Sequence, residues 1–120
     1  MAKKAKVTLQ PDYRIGKVED RMFGAFLEPI RGWVSGGVYN PEHPEADELG
    51  FRKDVLRAIR EFGMPAIRLP GGNFVSGWDW KDSIGPKDQR KSHLDLAWRQ
   101  YETNQFGHDE YLEWSRRAGV

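Results

Sequence analysis

The chain has no cysteine, which excludes a disulfide framework and any thiolate-held metal. It has no apolar run approaching the ~20 residues that span a bilayer. It also lacks charge of one sign: Lys and Arg number 19 against 18 Asp and Glu, a formal net charge of +1. That balance gives no electrostatic reason to expect a nucleic-acid partner or an anionic membrane surface. Only the start of the chain is locally basic, with Lys3, Lys4 and Lys6, and it reads as a solvated tail. After Met1 comes Ala-Lys-Lys-Ala-Lys, without the apolar segment of a secretory leader, so a cytoplasmic location is expected.

Other absences narrow the chemistry. His43, His93 and His108 stand alone, without the spacing of a zinc site. There is no Walker loop and no Gly-x-Gly-x-x-Gly after a strand, and no serine lies in a Gly-x-Ser-x-Gly elbow. Neither a zinc site nor a phosphate cradle is indicated.

What the chain does have is aromatic side chains: five Trp, four Tyr and six Phe. Trp78, Trp80, Trp98 and Trp114 all lie in its last part. Flat rings serve a core and equally stack on the apolar faces of sugars.

Residues 6–9 and 14–18 alternate apolar and polar, as half-buried strands do, with a turn at Pro11-Asp12 between them. Residues 22–27 (Met-Phe-Gly-Ala-Phe-Leu) are continuously apolar, the pattern of a strand buried on both faces of a parallel sheet. From about 45 to 62, Phe51, Val55, Leu56, Ile59 and Phe62 form one helical stripe, with acidic residues at its start and Gly63 and Pro65 as its stop. A second short strand covers 66–69. A long loop then runs from 74 to about 105. A second helix, 108–118, is expected to pack through Leu112, Ser115, Ala118 and Tyr111, with Gly119 as its cap and Val120 opening a third strand.

Strand, helix, strand, helix in this order makes an α/β fold with a parallel sheet and a right-handed crossover. Two such units are half of a doubly wound sheet or a quarter of a (β/α)₈ barrel, and a complete barrel takes about 250 residues.

At a barrel mouth, chemistry sits at the C-terminal ends of the strands. That rule picks out Glu28 after the first strand and residues 68–73 (Arg-Leu-Pro-Gly-Gly-Asn) at the end of the second. Glu28 reads equally as an exposed loop acid. Arg68, inside an apolar strand, reads as readily as half of a structural salt bridge, and Pro70 to Asn73 as a tight turn. The loop carries Asp79, Asp82, Asp95 and Glu102. Such acids mostly form turns and caps, and a complete catalytic pair is not expected among them.

These segments resemble glycoside hydrolase family 51 α-L-arabinofuranosidases. The similarity covers residues 23–28 (Phe-Gly-Ala-Phe-Leu-Glu) with Gly-Gly-Val-Tyr at 36–39, then Gly-Phe-Arg-Lys-Asp-Val at 50–55. Its most specific part is Arg-Leu-Pro-Gly-Gly-Asn-Phe-Val-Ser-Gly-Trp-Asp-Trp at 68–80. It continues through Ile-Gly-Pro at 84–86, Leu-Asp-Leu-Ala-Trp at 94–98 and Glu-Thr-Asn-Gln-Phe-Gly at 102–107.

The resemblance implies a retaining exo-enzyme acting on terminal arabinofuranosyl groups of arabinan and arabinoxylan oligosaccharides. It implies the first two βα units of a (β/α)₈ TIM barrel over residues 21–120, and strands contributed to a β-sandwich over 1–20. Glu28 and Asn73 would hydrogen-bond the arabinose hydroxyls, Trp98 would line the cleft, and Arg68 would orient the nucleophile's carboxylate. The acid/base and nucleophile glutamates of the family fall after Val120, so the 120 residues alone are expected to be inactive, and the parent to be a homo-oligomer, often a hexamer.

The other readings are a carbohydrate-binding or scaffold domain derived from such an enzyme, or β-xylosidase or endo-glucanase activity on the same scaffold. The chain departs from the family pattern after Glu28, with Pro29-Ile30-Arg31-Gly32 in place of the usual His-Leu-Gly-Arg.

Overall fold

Two apolar segments expected to meet in a parallel sheet do so. In the computed structural model, which describes residues 2–120, β1 (Ala25–Phe26) lies parallel to β2 (Ile67–Arg68). Ala25 stands opposite Ile67, and Phe26 opposite Arg68. The Ala25 N–H donates to the Ala66 carbonyl at 3.0 Å and the Leu27 N–H to the Arg68 carbonyl at 2.9 Å. β1 is shorter than the apolar run suggests, because Asp20–Phe23 turns into a 3₁₀ helix. It is also exposed rather than buried on both faces: Met22, Phe23 and Phe26 all face outward. A parallel strand becomes buried only between neighbouring strands and under covering helices, and β1 has a single neighbour here.

The crossover helix α1 (Lys53–Phe62) starts eight residues later than the apolar stripe predicts. Asp47 is the reason. Its Oδ1 accepts from the Leu49 and Phe51 N–H groups at 2.9 and 2.8 Å, a local bond pattern that competes with helix. The segment instead forms bridges, Ala46 with Arg52 and Tyr39 with Phe51. Gly63, at φ 64°, ends the helix as expected. Val55, Leu56 and Ile59 face the core, whereas Phe62, 84% exposed, does not.

Helix α2 spans His108–Ala118 with Gly119 as its left-handed cap, the bounds expected from the pattern. Its buried face is Tyr111, Trp114 and Ala118, while Leu112 points to solvent. The two rings carry the larger apolar area, and their spacing with Ala118 makes one stripe that excludes position 112. Val120 packs against the core without opening a strand. The core sits between α1, α2 and the 34–39 loop, around Val34, Val38, Phe51, Leu56 and Phe106. Phe106 meets Phe51 and Tyr111 edge-on, with ring centroids 5.6 and 4.5 Å apart.

The long loop is more ordered than its composition suggests. It holds 3₁₀ turns at Asn73–Gly77, Trp80–Ser83 and Lys87–Gln89. An antiparallel hairpin follows, of β3 (His93–Asp95) and β4 (Gln100–Glu102). Residues 2–19 form no strand. The Pro11-Asp12 turn is present, with the Tyr13 N–H on the Gln10 carbonyl at 3.0 Å, but Val7, Leu9, Ile15 and Val18 are exposed. A two-stranded ribbon with nothing to pack on is marginal in water.

Candidate functional site

Glu28 follows β1 after Leu27, at the end of the sheet where Arg68 closes β2. It is not an exposed loop acid: only 6% of it is accessible. Its Oε1 accepts from the Phe74 N–H at 2.9 Å and from the Trp98 indole Nε1–H at 2.8 Å. Both bonds fall on the same oxygen, and Oε2 takes none among the described residues. A carboxylate held by fixed donors in this way has a defined orientation.

The glycine pair after Pro70 lets the backbone come this close. Gly72 sits at φ 65°, and a Cβ there would lie 1.8 Å from Glu28 Oε2. The turn therefore serves close approach to the carboxylate.

Asn73 opens the 3₁₀ turn beside it and lines an open cleft of about 490 Å³ with Ser76, Gly77 and the hairpin residues Leu94 to Ala97. Trp98 is half-buried at the hairpin turn. Glu28 and Trp98 are thus bonded to each other, and Asn73 comes near them as the chain neighbour of Phe74, whereas the described residues that line its cleft include neither Glu28 nor Trp98. Arg68 lies exposed at the same end of the sheet, its guanidinium over the Phe26 ring at 5.0 Å from the centroid. Among the described residues it pairs with no carboxylate, so the structural salt bridge is not formed here.

The hairpin presents polar residues inward. Asp95 and Glu102 are buried and His93 and Gln100 half-buried, while Leu94 and Tyr101 face outward. Asp95 Oδ1 accepts from the Ala97 N–H at 3.0 Å, and its Oδ2 is buried without a partner. Glu102 accepts from the Asn104 N–H at 2.7 Å. Burial pushes its carboxyl above the ordinary range, against the opposing pull of backbone N–H groups and His93. Asn104, nearly inaccessible at φ 55°, accepts from the Trp78 indole at 3.0 Å and donates to the Lys91 carbonyl at 2.6 Å. Asp79 forms a turn, as expected of a loop acid, accepting from the Lys81 N–H at 3.0 Å.

Two further residues position the loops. Gln100 donates to the Pro29 carbonyl and accepts from the Arg31 N–H, both at 2.6 Å. Arg90 lies beneath the surface, paired with Glu110 at 2.6 Å and donating to the Gly85 and Asn104 carbonyls. Neither stood out in the sequence. Both act across long separations, and no local motif marks them. Among the described residues, no group of three or more His, Cys, Asp or Glu is placed to hold a metal ion.

Residues 58–120 match the family model described as the Alpha-L-arabinofuranosidase 1 domain. The chain belongs to the glycoside hydrolase family 51 α-L-arabinofuranosidases. It is 49% identical to an intracellular exo-α-(1→5)-L-arabinofuranosidase of Bacillus subtilis, over 98% of this chain and 24% of that protein. It is 49% identical to an exo-α-(1→6)-L-arabinofuranosidase of Bifidobacterium longum, over 96% of this chain and 22% of that one.

Among solved family 51 structures, the arabinofuranosidase of Bifidobacterium longum superposes with a TM-score of 0.83 at 50% identity, over 86% of this chain and 20% of that chain. The arabinose complex of the Thermotoga maritima enzyme gives 0.78 at 52%, over 81% and 20%. The chain thus spans about a quarter or less of the arabinofuranosidases it matches.

Proposed function

We propose that this chain supplies the sugar-recognising wall of an exo-acting, retaining α-L-arabinofuranosidase. The observation that carries this reading is the Glu28 carboxylate, fixed through Oε1 by Phe74 and Trp98 with Oε2 left unbonded at the C-terminal end of the paired strands. A sugar hydroxyl is a donor that such an oxygen can accept. Asn73 adds an amide able both to donate and to accept, and Trp98 an apolar face for the ring. Arg68 supplies a positive charge for the carboxylate of a nucleophile. The substrate class is the terminal arabinofuranosyl group of arabinan- or arabinoxylan-type oligosaccharides, and the chemistry requires no metal or cofactor.

Retention needs two carboxyl groups about 5–5.5 Å apart. Within the chain the buried acids are already committed: Glu28 to two donors, Asp95 to its turn, Glu102 to Asn104. By resemblance to the family, both catalytic carboxylates belong to other parts of the parent enzyme, and these residues bind without hydrolysing. In that parent the strand-helix-strand-helix order seen here would be the first two βα units of a (β/α)₈ barrel, and residues 1–20 would join a β-sandwich. A cytoplasmic homo-oligomer, by resemblance a hexamer, is the proposed setting.

The test is titration with methyl α-L-arabinofuranoside, followed at the Trp98 indole N–H, with an aryl arabinofuranoside assay alongside. Saturable binding lost in Glu28→Gln, without turnover, is expected. Turnover by the 120 residues, or binding indifferent to Glu28, contradicts the reading.

A further inference from the structure

We propose that Gln100 is a positioning residue for Glu28, clamping the loop that carries the carboxylate. Its effect on sugar affinity rests on the function proposed above; its effect on Glu28 does not. The side-chain amide spans the loop. Nε2 donates to the Pro29 carbonyl and Oε1 accepts from the Arg31 N–H, each at 2.6 Å. A carbonyl only accepts and a backbone N–H only donates, so the orientation of the amide is determined by its two partners. Its strand neighbour on the hairpin turn, two residues back, is Trp98, whose indole holds Glu28 Oε1. One short hairpin thus grips the carboxylate through Trp98 and the backbone on its C-terminal side through Gln100.

The loop needs a grip. Arg31 stands at φ 37°, the left-handed region, which a residue with a side chain adopts only where its surroundings hold it. Pro29 has no N–H with which to anchor itself. The backbone bonds of the loop's first turn stay within the loop: the Ile30 N–H donates to the Glu28 carbonyl and the Trp33 N–H to the Ile30 carbonyl, each at 2.8 Å. Without Gln100, the step from Glu28 to Arg31 keeps no tie to the hairpin except the Trp98 bond itself. The carboxylate then moves with the relaxed loop, and the Glu28–Trp98 bond opens more often.

Gln100 is half-buried, so its packing and its hydrogen bonds must be separated. Gln100→Met keeps the volume and the shape and removes both polar atoms; Gln100→Glu keeps an acceptor for Arg31 and removes the donor to Pro29. The measurement is hydrogen exchange and chemical shift of the Trp98 indole N–H in the 120-residue chain, with thermal stability and the affinity for methyl α-L-arabinofuranoside recorded in parallel.

In Gln100→Met the indole N–H is expected to exchange about tenfold faster, the effect of losing net hydrogen bonds on this scale, and to shift upfield. Gln100→Glu is expected to fall between. An indole signal unchanged in Gln100→Met, whatever happens to stability, overturns the proposal. So does an unsubstituted chain whose Trp98 indole is unprotected. If the indole responds but no variant, the parent chain included, binds the arabinofuranoside, the clamp stands and the functional reading fails.

Discussion

The Trp98 indole N–H donates to Glu28 Oε1 at 2.8 Å across a sequence separation of 70 residues. This bond joins the end of the first strand to the turn of the β3–β4 hairpin. Phe74 adds the second donor to the same oxygen, and the pair fixes a buried carboxylate whose other oxygen takes no hydrogen bond among the described residues. Everything else at the site supports that arrangement: Gly72 allows the approach, Gln100 holds the loop, and Asn73 stands beside it.

Gly72→Ala is expected to disturb this carboxylate directly. The new Cβ would lie 1.8 Å from Glu28 Oε2, at φ 65°. The left-handed conformation alone costs about 1–2 kcal/mol for a residue with a side chain, and displacing the carboxylate adds to it. The clash is separable by a double-mutant cycle. In a Glu28→Ala background Gly72→Ala is expected to cost less, leaving the conformational part. Equal costs in both backgrounds, by chemical denaturation, contradict the contact.

Arg31→Gly is expected to stabilise the loop. The family pattern stated above places glycine at this position, and Arg31 here takes φ 37°. Relief of a left-handed residue, about 1–2 kcal/mol, exceeds the loss of about 0.5–1 kcal/mol in backbone entropy that glycine brings. A gain of about 0.5–1 kcal/mol in denaturation free energy is the expected outcome. A loss would mean that the arginine side chain contributes more than its backbone costs.

The Arg90–Glu110 pair sets the acid limb of stability. Arg90 has a side chain 3% exposed and Glu110 one 13% exposed, 2.6 Å apart. Burial pushes the Glu110 carboxyl up. The Arg90 side chain, the Gly107 N–H and the charges of Arg90 and Lys87 together outweigh that and hold it below the ordinary range. A carboxyl lowered in the folded state contributes stability that is present above its unfolded value, about 4.3, and is lost as pH falls through its folded value. Glu102, raised by burial, acts in the opposite sense: its contribution improves as pH falls. Glu110→Gln is therefore expected to flatten the decline of the melting temperature in acid, and Glu102→Gln to steepen it. Arg90→Ala, which leaves Glu110 to the Gly107 N–H at 2.8 Å and the Lys87 ammonium at 3.7 Å, is expected to cost about 1.5–3 kcal/mol at neutral pH.

Much of this was legible in residue order, and the exceptions have causes. The β1–β2 pairing, the Gly63 and Gly119 caps and the bounds of α2 follow from apolar period and stop signals. The start of α1 does not, because the Asp47 side chain captures the backbone ahead of it. The sequence does not mark the β3–β4 hairpin, because its alternation is inverted. His93, Asp95, Gln100 and Glu102 face inward and Leu94 and Tyr101 outward, whereas period-two reasoning looks for apolar residues inside.

That inversion belongs to the site. A polar inner face is what a hairpin needs in order to hold Pro29, Arg31 and Asn104. Glu28 and Asn73 stand out by their place at the strand ends and Trp98 through motif similarity, whereas Gln100 has no sequence mark, since its partners are backbone groups about 70 residues away.

The measurement that bears most directly on the account is a titration of the 120-residue chain with methyl α-L-arabinofuranoside, read at the Trp98 indole N–H, in the unsubstituted chain and in Glu28→Gln. The substitution keeps an acceptor for Phe74 and Trp98 but removes the charge that a sugar hydroxyl meets at Oε2. A saturable shift of the indole signal in the unsubstituted chain, weakened at least about tenfold in Glu28→Gln, is the predicted result. Equal affinity in the two chains would contradict the assignment of Glu28 as the sugar-binding carboxylate.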